Sequence, residues 1–510
     1  MATYQVHVDW DRNANYTGTY DDITAYVRSI NSSIGFKVPY ANVAGEITLS
    51  IELDNSDKRF SPEYSGSPLY GKRFRNRPIR FQVVSGSTTV LWTGITDMIT
   101  PQTNINGERR AILTATGYKR VLDNMQVSIP LQVGKRTDEI LAVILANTII
   151  PEALATGPWA LGIVGYGELG TNTVVGSGVI AQSLETGTLT PAYAGDTWDD
   201  NISPYEAIKQ VVEAERGKFF FDRSSTAVFW NRNHMLADST SLATYTDATI
   251  ISYDYNYGND IQNYVTVSYY PRVAGSGTEV LWSLDKPINL TLGVEKKIRA
   301  RFTEQGSDSK VSATTVIRPL VDDGAIVFSF GTADVVGWSY DAKGAELIFL
   351  ARTTDATISS IIISGTKLTS YNKADAVARS AESEFYDNRS DVIYDLKLLD
   401  DEADAQAIAD YEVGRRASVT GTLKSVTLMN KNAASLAAII ARTIGHRITI
   451  SEQQTGHSAD YFIIGEQHSI SEAGTKHVCT WYLEPASASA YWVLGTTGRS
   501  ELGTTTKVAP

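Results

Sequence analysis

Leu53 to Val84 reads LDNSDKRFSPEYSGSPLYGKRFRNRPIRFQVV. Its first residue closes an alternating run, GEITLSIEL (Gly45–Leu53), and its last seven form another, PIRFQVV (Pro78–Val84). Alternation of apolar and polar residues with period two marks a strand with one buried face. The polar segment between them carries Pro62, Gly66, Pro68 and Gly71, together with Tyr64, Leu69, Tyr70 and Phe74. A tight hairpin needs only two to five residues, so a connection this long and this aromatic is a strap. Two readings stay open for it. It covers the sheet of its own chain, or it crosses to a neighbouring subunit, since Tyr64, Leu69, Tyr70 and Phe74 are of interface type.

Around the strap, residues 1–125 read as an antiparallel meander, a barrel or sandwich: TYQVHVDW, GEITLSIEL, PIRFQVV, TVLWTGITDMI and RRAILTATGY, with turns between. Residues 126–235 form an α/β insertion. In it KRTDEILAVILANTIIPE places Ile140, Leu141, Ile144 and Leu145 on one helical face, with Thr137 as N-cap and Pro151 as stop. In ISPYEAIKQVVEAERGKFFFDRSSTAVFWNR, Ser203 caps a helix, Pro204 takes its first position, Glu206 completes a capping box, Gly217 ends it, and a hairpin follows. Residues 155–200 show no sustained period. Residues 236–380 are rich in strand patterns. Residues 381–490 hold a second strand block, preceded by two stretches read as helical, KADAVARSAESEFYD and DEADAQAIADYEVGRRA. Residues 491–510 read as an extended arm carrying Tyr491, Trp492 and Leu494. The fold class is mainly β with α+β insertions.

The two strand blocks repeat a layout. The first runs strand (Gly45–Leu53), strap, strand (Pro78–Val84), strand (Val90–Thr100), strand (Arg109–Gly117). The second runs strand (Val419–Met429), strap NKNAASLAAIIARTIG, strand (His446–Ser451), strand (Asp460–Ser471), strand (His477–Pro485). Residue identity between them is low, so the repeat is architectural. Duplication and two separately arising barrels both remain open.

Bulk properties narrow the function. At 510 residues the chain exceeds one ordinary core. A net charge of −12 argues against coating nucleic acid, which needs clustered positive charge. The single cysteine, Cys479, excludes an intrachain disulfide and reads as a core residue. MATYQVHVDWD lacks the basic and apolar regions of a signal peptide, and no run has the length of a membrane span.

Candidate chemistry is thin. Asp9, Asp11, Asn13 and Asn15 alternate as in a calcium loop, but Ala14 stands where the turn glycine belongs and Tyr20 where the bidentate Glu belongs, so a polar hairpin is favoured. His7, His234, His446, His457, His468 and His477 fit no zinc spacing and read as strand-surface residues. GYGELG (Gly165–Gly170) matches a dinucleotide loop only in spelling, because no helical period follows. Trp198-Asp199-Asp200 and the DEAD of Asp401–Asp404 supply carboxylates beside an aromatic, the parts of a glycosidase, with nothing to set their separation. No nucleophile elbow is present. Neither a catalytic residue, a cofactor nor a metal is assigned.

VDWDRNANYTGTYDDIT, LDNSDKRFSPEYSGSPLYGKRFRNRPIRF and WTGITDMITP together resemble the N-terminal domain of tail-tip (baseplate) hub proteins of long-tailed bacteriophages, with a departure at Lys58, where glycine is usual. ISPYEAIKQVVEAERGKFFFDR is similar to that family's helix–hairpin insertion, GHRITI…YFIIGEQHSIS…WYLEP to its second barrel, and YWVLGTTGRSELGTTTKVAP to the tail of some members. The loops at 155–200 and 300–345 depart from the pattern. The resemblance implies two tail-tube-like antiparallel β-barrels per chain and a homotrimer with a pseudo-sixfold ring. It also implies a non-enzymatic role adapting a hexameric tail tube to a trimeric fibre or spike at the end of the DNA-ejection channel. Partners would be other copies of the chain, a distal tail protein ring or the tail tube, the central fibre or spike and the tape-measure protein. Stable nucleic-acid binding and membrane insertion are not expected. The location would be the virion tail tip, assembled in host cytoplasm. Interface residues would be Tyr64, Leu69, Tyr70, Phe74, Arg75, Arg77, Tyr491, Trp492 and Leu494. A lumen lined by Asp, Glu, Ser, Thr and Asn would let DNA pass, with Arg75, Arg77 and Arg80 turned toward protein. A cell-wall-acting or saccharide-binding tail protein, using the 155–200 loops, is the alternative.

Overall fold

The computed structural model describes residues 3–11, 15–103, 107–148, 161–166, 172–178, 180–199, 201–237, 240–258, 260–304, 309–486, 490–491 and 506–507. Both strand blocks lie in one sheet. Across it, the first block runs Thr3–Val8, Pro78–Ser85, Ser87–Thr103, Arg109–Thr116, Thr48–Asp54, Val27–Gly35. The second runs Thr244–Thr246, Arg447–Ser451, Ser458–Ser471, Lys476–Pro485, Gly421–Met429, Ile250–Tyr257. Numbered in chain order within each block, both follow the spatial order 1-4-5-6-3-2.

The likeness reaches single residues. The second strand of each block has a bulge near its start, between Val27 and Ser29 and between Ile250 and Ser252. The fifth strand of each has one midway, between Thr96 and Met98 and between Ile463 and Gly465. A glycine at positive φ ends the second strand in both cases, Gly35 at 80° and Gly258 at 74°. The blocks differ at one edge, where the first strand runs antiparallel to the fourth in block one and parallel to it in block two. The shared order, bulges and glycines elsewhere favour duplication, because a bulge re-aims every side chain beyond it and two unrelated sheets have no reason to place it alike.

Alternation builds each core. Leu49, Ile51 and Leu53 are buried in the first block, and Val426, Leu428, Ile448, Ile450, Ile463, Cys479, Trp481 and Leu483 pack together in the second. The outer edge of the first block is bonded by the segment before its second strand, Val8 N to Asp21 O at 2.8 Å and Ile23 N to Val6 O at 3.0 Å. In the second block the two outermost strands are consecutive in the chain, separated only by the turn at 247–249. The blocks join where Val27–Gly35 runs antiparallel to the end of Ser458–Ser471, with Ile30 opposite Ile470 and Gly35 opposite Gly465.

Two insertions hang from this sheet. The first contains the helices Thr137–Ala146 and Pro204–Glu215 and the hairpin Lys218–Phe221/Ala227–Trp230. Ser203 Oγ accepts from Glu206 N at 3.2 Å and Pro204 opens the second helix. Its left-handed C-cap is Arg216, at φ 58°, one residue before the expected Gly217. The guanidinium of Arg216 is tied to Glu412 at 2.7 Å, which offsets the strain of that backbone. Thr137 proves to be the first helical residue rather than the cap, which is Arg136, and donates to Glu215 Oε2 at 2.7 Å. Pro151 lies outside the described residues.

The second insertion separates the second and third strands of block two. Its strands Ala374–Arg379, Tyr264–Tyr269 and Asp391–Asp395 form a sheet, and the helix Glu402–Arg416 packs on the first two. In a separate lobe the strand Ala356–Ser370 contributes Ile358 and Ile361 to a core with Phe302, Leu347 and Phe349. Three readings change here. The first half of KADAVARSAESEFYD is a strand: Ala376 and Ala378 are buried, their neighbours exposed, and Ser380 caps only the helix Ala381–Asp387. Residues 391–416, grouped by sequence with the second block, belong to the inserted sheet and its helix. Conversely Thr244–Thr246 and Ile250–Tyr257, grouped with residues 236–380, complete the second block.

Candidate functional site

The strap is a ladder of turns. Backbone N–H groups of Lys58, Ser61, Tyr64, Ser67 and Tyr70 each donate three residues back, to Asn55, Lys58, Ser61, Tyr64 and Ser67, at 2.9–3.1 Å. Asn55 Oδ1 accepts from Phe60 N at 2.9 Å, and Ser67 Oγ donates to Arg59 O at 2.6 Å. Lys58 has φ 60°, the left-handed region, which explains why glycine suits this position. Inward-facing rings nail the ladder down: Phe60 meets Tyr26 edge-on at 5.5 Å, and Phe74 meets Trp10 at 5.1 Å. Thr96, buried in the fifth strand, donates to Phe74 O at 2.7 Å and accepts from Arg77 N at 2.8 Å.

The proposed interface residues therefore divide. Leu69, Phe74 and Arg77 are buried in their own chain, with Arg77 Nε donating to Arg73 O at 2.8 Å. Tyr64 and Tyr70 face solvent, and the Arg75 side chain is 68% exposed beside Asp97. The strap thus covers its own sheet and presents two tyrosines and an arginine outward. Arg80 lies over the Tyr16 ring at 4.5 Å. Ala490–Tyr491 forms a short parallel pair with Thr506–Lys507, while Trp492 and Leu494 lie outside the described residues.

At the joint between the blocks sits a buried polar chain that sequence reading missed. Tyr4 Oη is 3.0 Å from His477 Nδ1, His477 Nε2 2.9 Å from His468 Nδ1, and His468 Nε2 3.2 Å from Glu466 Oε2. Arg223, from the insertion hairpin, grips both Glu466 oxygens at 2.6 and 2.5 Å and donates to the carbonyls of Ile440 and Arg442. His468 and His477 are thus core residues, not strand-surface ones. Burial pushes the Glu466 carboxyl up, but Arg223 and His468 outweigh it and hold it down at about 2. Burial, then His468, lowers His477 to about 2. Burial pushes the nearby Cys479 thiol up, which suits a core thiol and not a nucleophile. A second cluster fastens the end of the block: Glu484 takes Lys218 at 2.7 Å, Arg415 at 2.9 Å and Tyr40 N at 2.7 Å.

The remaining chemistry disperses. Asp11 pairs with Lys72 of the strap, and Asn15 accepts from Thr17, so the alternating acids do not converge; Asn13 is outside the described residues. Among the described residues no group of three or more His, Cys, Asp or Glu side chains is placed to hold a metal. Trp198 is buried, so it offers no open platform to a sugar, and Asp401 caps its helix through Ala403 N at 2.7 Å. Gly165 and Tyr166 end a strand, and the rest of GYGELG is outside the described residues. A cleft of about 460 Å3 lies between the insertion hairpin and the Glu402–Arg416 helix, but its Lys218, Arg415 and Glu484 are already paired with one another.

No family model and no curated protein matches the chain. Among solved structures it is similar to a tail protein from Neisseria meningitidis MC58, with TM-score 0.49 and 10% identity over 95% of this chain and 96% of that one. It is also similar to the 43 kDa tail protein of prophage MuSo2 from Shewanella oneidensis, with TM-score 0.48 and 9% identity over 95% and 98%. A prophage tail protein from Listeria monocytogenes EGD-e gives TM-score 0.41 and 6% identity over 94% of each chain.

Proposed function

We propose that the chain is a structural hub of a bacteriophage tail tip, a non-enzymatic ring component that adapts a hexameric tube to a trimeric fibre or spike. The observation that carries this reading is the doubled block: two six-strand units of the same 1-4-5-6-3-2 order lie side by side in one sheet. Three such chains supply six like units, so one ring presents sixfold-like and threefold surfaces at once. In each block the outer strands are brought round by local bonds or a short turn, which supports the two-barrel reading. The strap motif of the resemblance agrees with it, since Lys58 occupies a glycine-type backbone there.

In this reading the tube or a distal tail ring sits above, and the fibre or spike and the tape-measure protein lie below and within. The bore is the end of the DNA-ejection channel, in a tail tip assembled in the host cytoplasm. Tyr64, Tyr70 and Arg75 face a neighbour, and the arm from Tyr491 engages the fibre side. Deleting residues 490–510 from the full chain and scoring fibre attachment in assembled tails tests the arm. Loss of attachment with an intact ring supports the reading, and unchanged attachment removes the arm from it.

A further inference from the structure

The internal repeat assigns an interface between copies. Inside one chain, the second strand of block one (Val27–Gly35) pairs antiparallel with the last half of the fifth strand of block two (Gly465 to Ile470). The repeat has a matching pair of surfaces left over. The second strand of block two, Ile250–Tyr257, ends the sheet and, among the described residues, pairs on one side only, with Gly421–Met429. The last half of the fifth strand of block one, Met98 to Thr103, pairs with Arg109–Thr116 on one side, and among the described residues no strand covers its other side. We propose that these two free edges pair with each other between neighbouring copies.

Register follows from the repeat. The bulges and glycines align Ile30 with Tyr253, Asn31 with Asp254 and Gly35 with Gly258. The flanking bonds align the fifth strands: Thr96 exchanges bonds with Asn76 and Arg77, and Ile463 with Gly445 and His446, in the same pattern. Met98 then matches Gly465, and Thr103 matches Ile470. Transferring the intrachain register, Ile30 to Ile470 and Asn31 to Ser469, sets Tyr253 opposite Thr103 and Asp254 opposite Gln102 of the next copy.

The side chains suit a covered surface. Met98 is 56% exposed, Tyr257 67% and Ile251 45%, and large apolar groups on an open strand edge invite pairing. The intrachain joint differs in one respect. It carries the Tyr4–His477–His468–Glu466–Arg223 chain, whereas the positions matching Glu466 and His468 are Ile99 and Pro101. The contact between copies is accordingly the weaker of the two. Pro101 has no N–H to give, so the ladder there has one donor fewer. The two edges are different surfaces, so the contact is heterologous and propagates head to tail until a ring closes.

This rests on the ring reading above, and the test separates the two. Asp254 and Gln102 are both exposed, and among the described residues neither side chain forms a hydrogen bond or ion pair, so the full-length chain carrying Asp254→Cys and Gln102→Cys should fold; Cys479 is buried. Opposed residues on paired strands come within disulfide reach. Mild oxidation followed by denaturing, non-reducing electrophoresis should show covalent multimers up to the native oligomer, and either single variant should show none. A native oligomer of unchanged mass that gives only unlinked or internally linked chains overturns this pairing and leaves the ring standing. A monomer in native mass measurement overturns both.

Discussion

His477 Nε2 lies 2.9 Å from His468 Nδ1, and both rings are shut off from solvent. One proton order that satisfies the chain they belong to runs from its acidic end. Glu466 is held ionised and can only accept, so His468 donates to it from Nε2, and in this order its Nδ1 accepts. His477 must then donate from Nε2 and accept at Nδ1 from the Tyr4 hydroxyl. Each link then holds one proton, and the chain ties the first strand of block one to two strands of block two and, through Arg223, to the insertion.

This gives a pH signature. The His477 pKa falls from 6.5 to about 2 on folding, so the unfolded chain binds the extra proton. Its contribution is complete above pH 6.5 and is lost as pH falls below it, at about 1.4 kcal/mol per pH unit. Between pH 6.5 and 5 wild type should lose about 2 kcal/mol relative to His477→Gln, read as converging urea midpoints. Parallel pH profiles for the two proteins would contradict the lowered pKa of His477.

Glu46 has the opposite sign. Burial raises its pKa from 4.5 to about 7, against the pull of the Gly117 N–H, which it accepts at 3.0 Å. The folded protein holds that proton, so its contribution is present below pH 4.5 and lost as pH rises through 7. Glu46→Gln keeps the acceptor and should stabilise the protein at pH 8 by about 1–2 kcal/mol after solvent screening, with no gain at pH 4. Equal midpoints at pH 8 would show that Glu46 is ionised at no cost.

Arg223 and Glu466 form a buried pair in which one partner cannot be spared. Glu466→Gln or Arg223→Met alone should cost about 3–5 kcal/mol, because each strands the other's charge. The double variant should recover a large part of that. Additive losses in a double-mutant cycle would mean that the two groups act independently.

The strap should separate folding from assembly. Leu69→Ala removes a buried side chain and should lower monomer stability by about 2–4 kcal/mol. Tyr70→Ser, at a 57% exposed position, should leave the unfolding midpoint within about 0.5 kcal/mol and weaken oligomerisation. An effect of Tyr70→Ser on folding alone would make the strap a cover and nothing more.

Much of this was legible in the sequence, for a physical reason. Clean alternation, as in TLSIELD, reports one buried face directly, so the strands of both blocks and their repeated layout could be read from it. ADAVARSAE could not, because alanine buries as little as it exposes and favours helices, which hid the strand Ala374–Arg379. The two edge strands at 244–257 lie more than 160 residues from their partners, Arg447–Ser451 and Gly421–Met429, and nothing local marks such a pairing. The histidine chain was hidden likewise, since its members come from three distant parts of the chain. Phe74 and Leu69 are of interface type in composition, and only packing shows that the chain itself uses them.

The central claim is that copies of this doubled chain close into a ring of like β blocks. Imaging of the purified full-length protein by electron microscopy, with native mass on the same sample, tests it most directly. The account predicts three chains with six similar densities around a bore. A monomer at high concentration that is also a monomer in the assembled particle, or a closed oligomer whose two blocks lie at different radii, would contradict it.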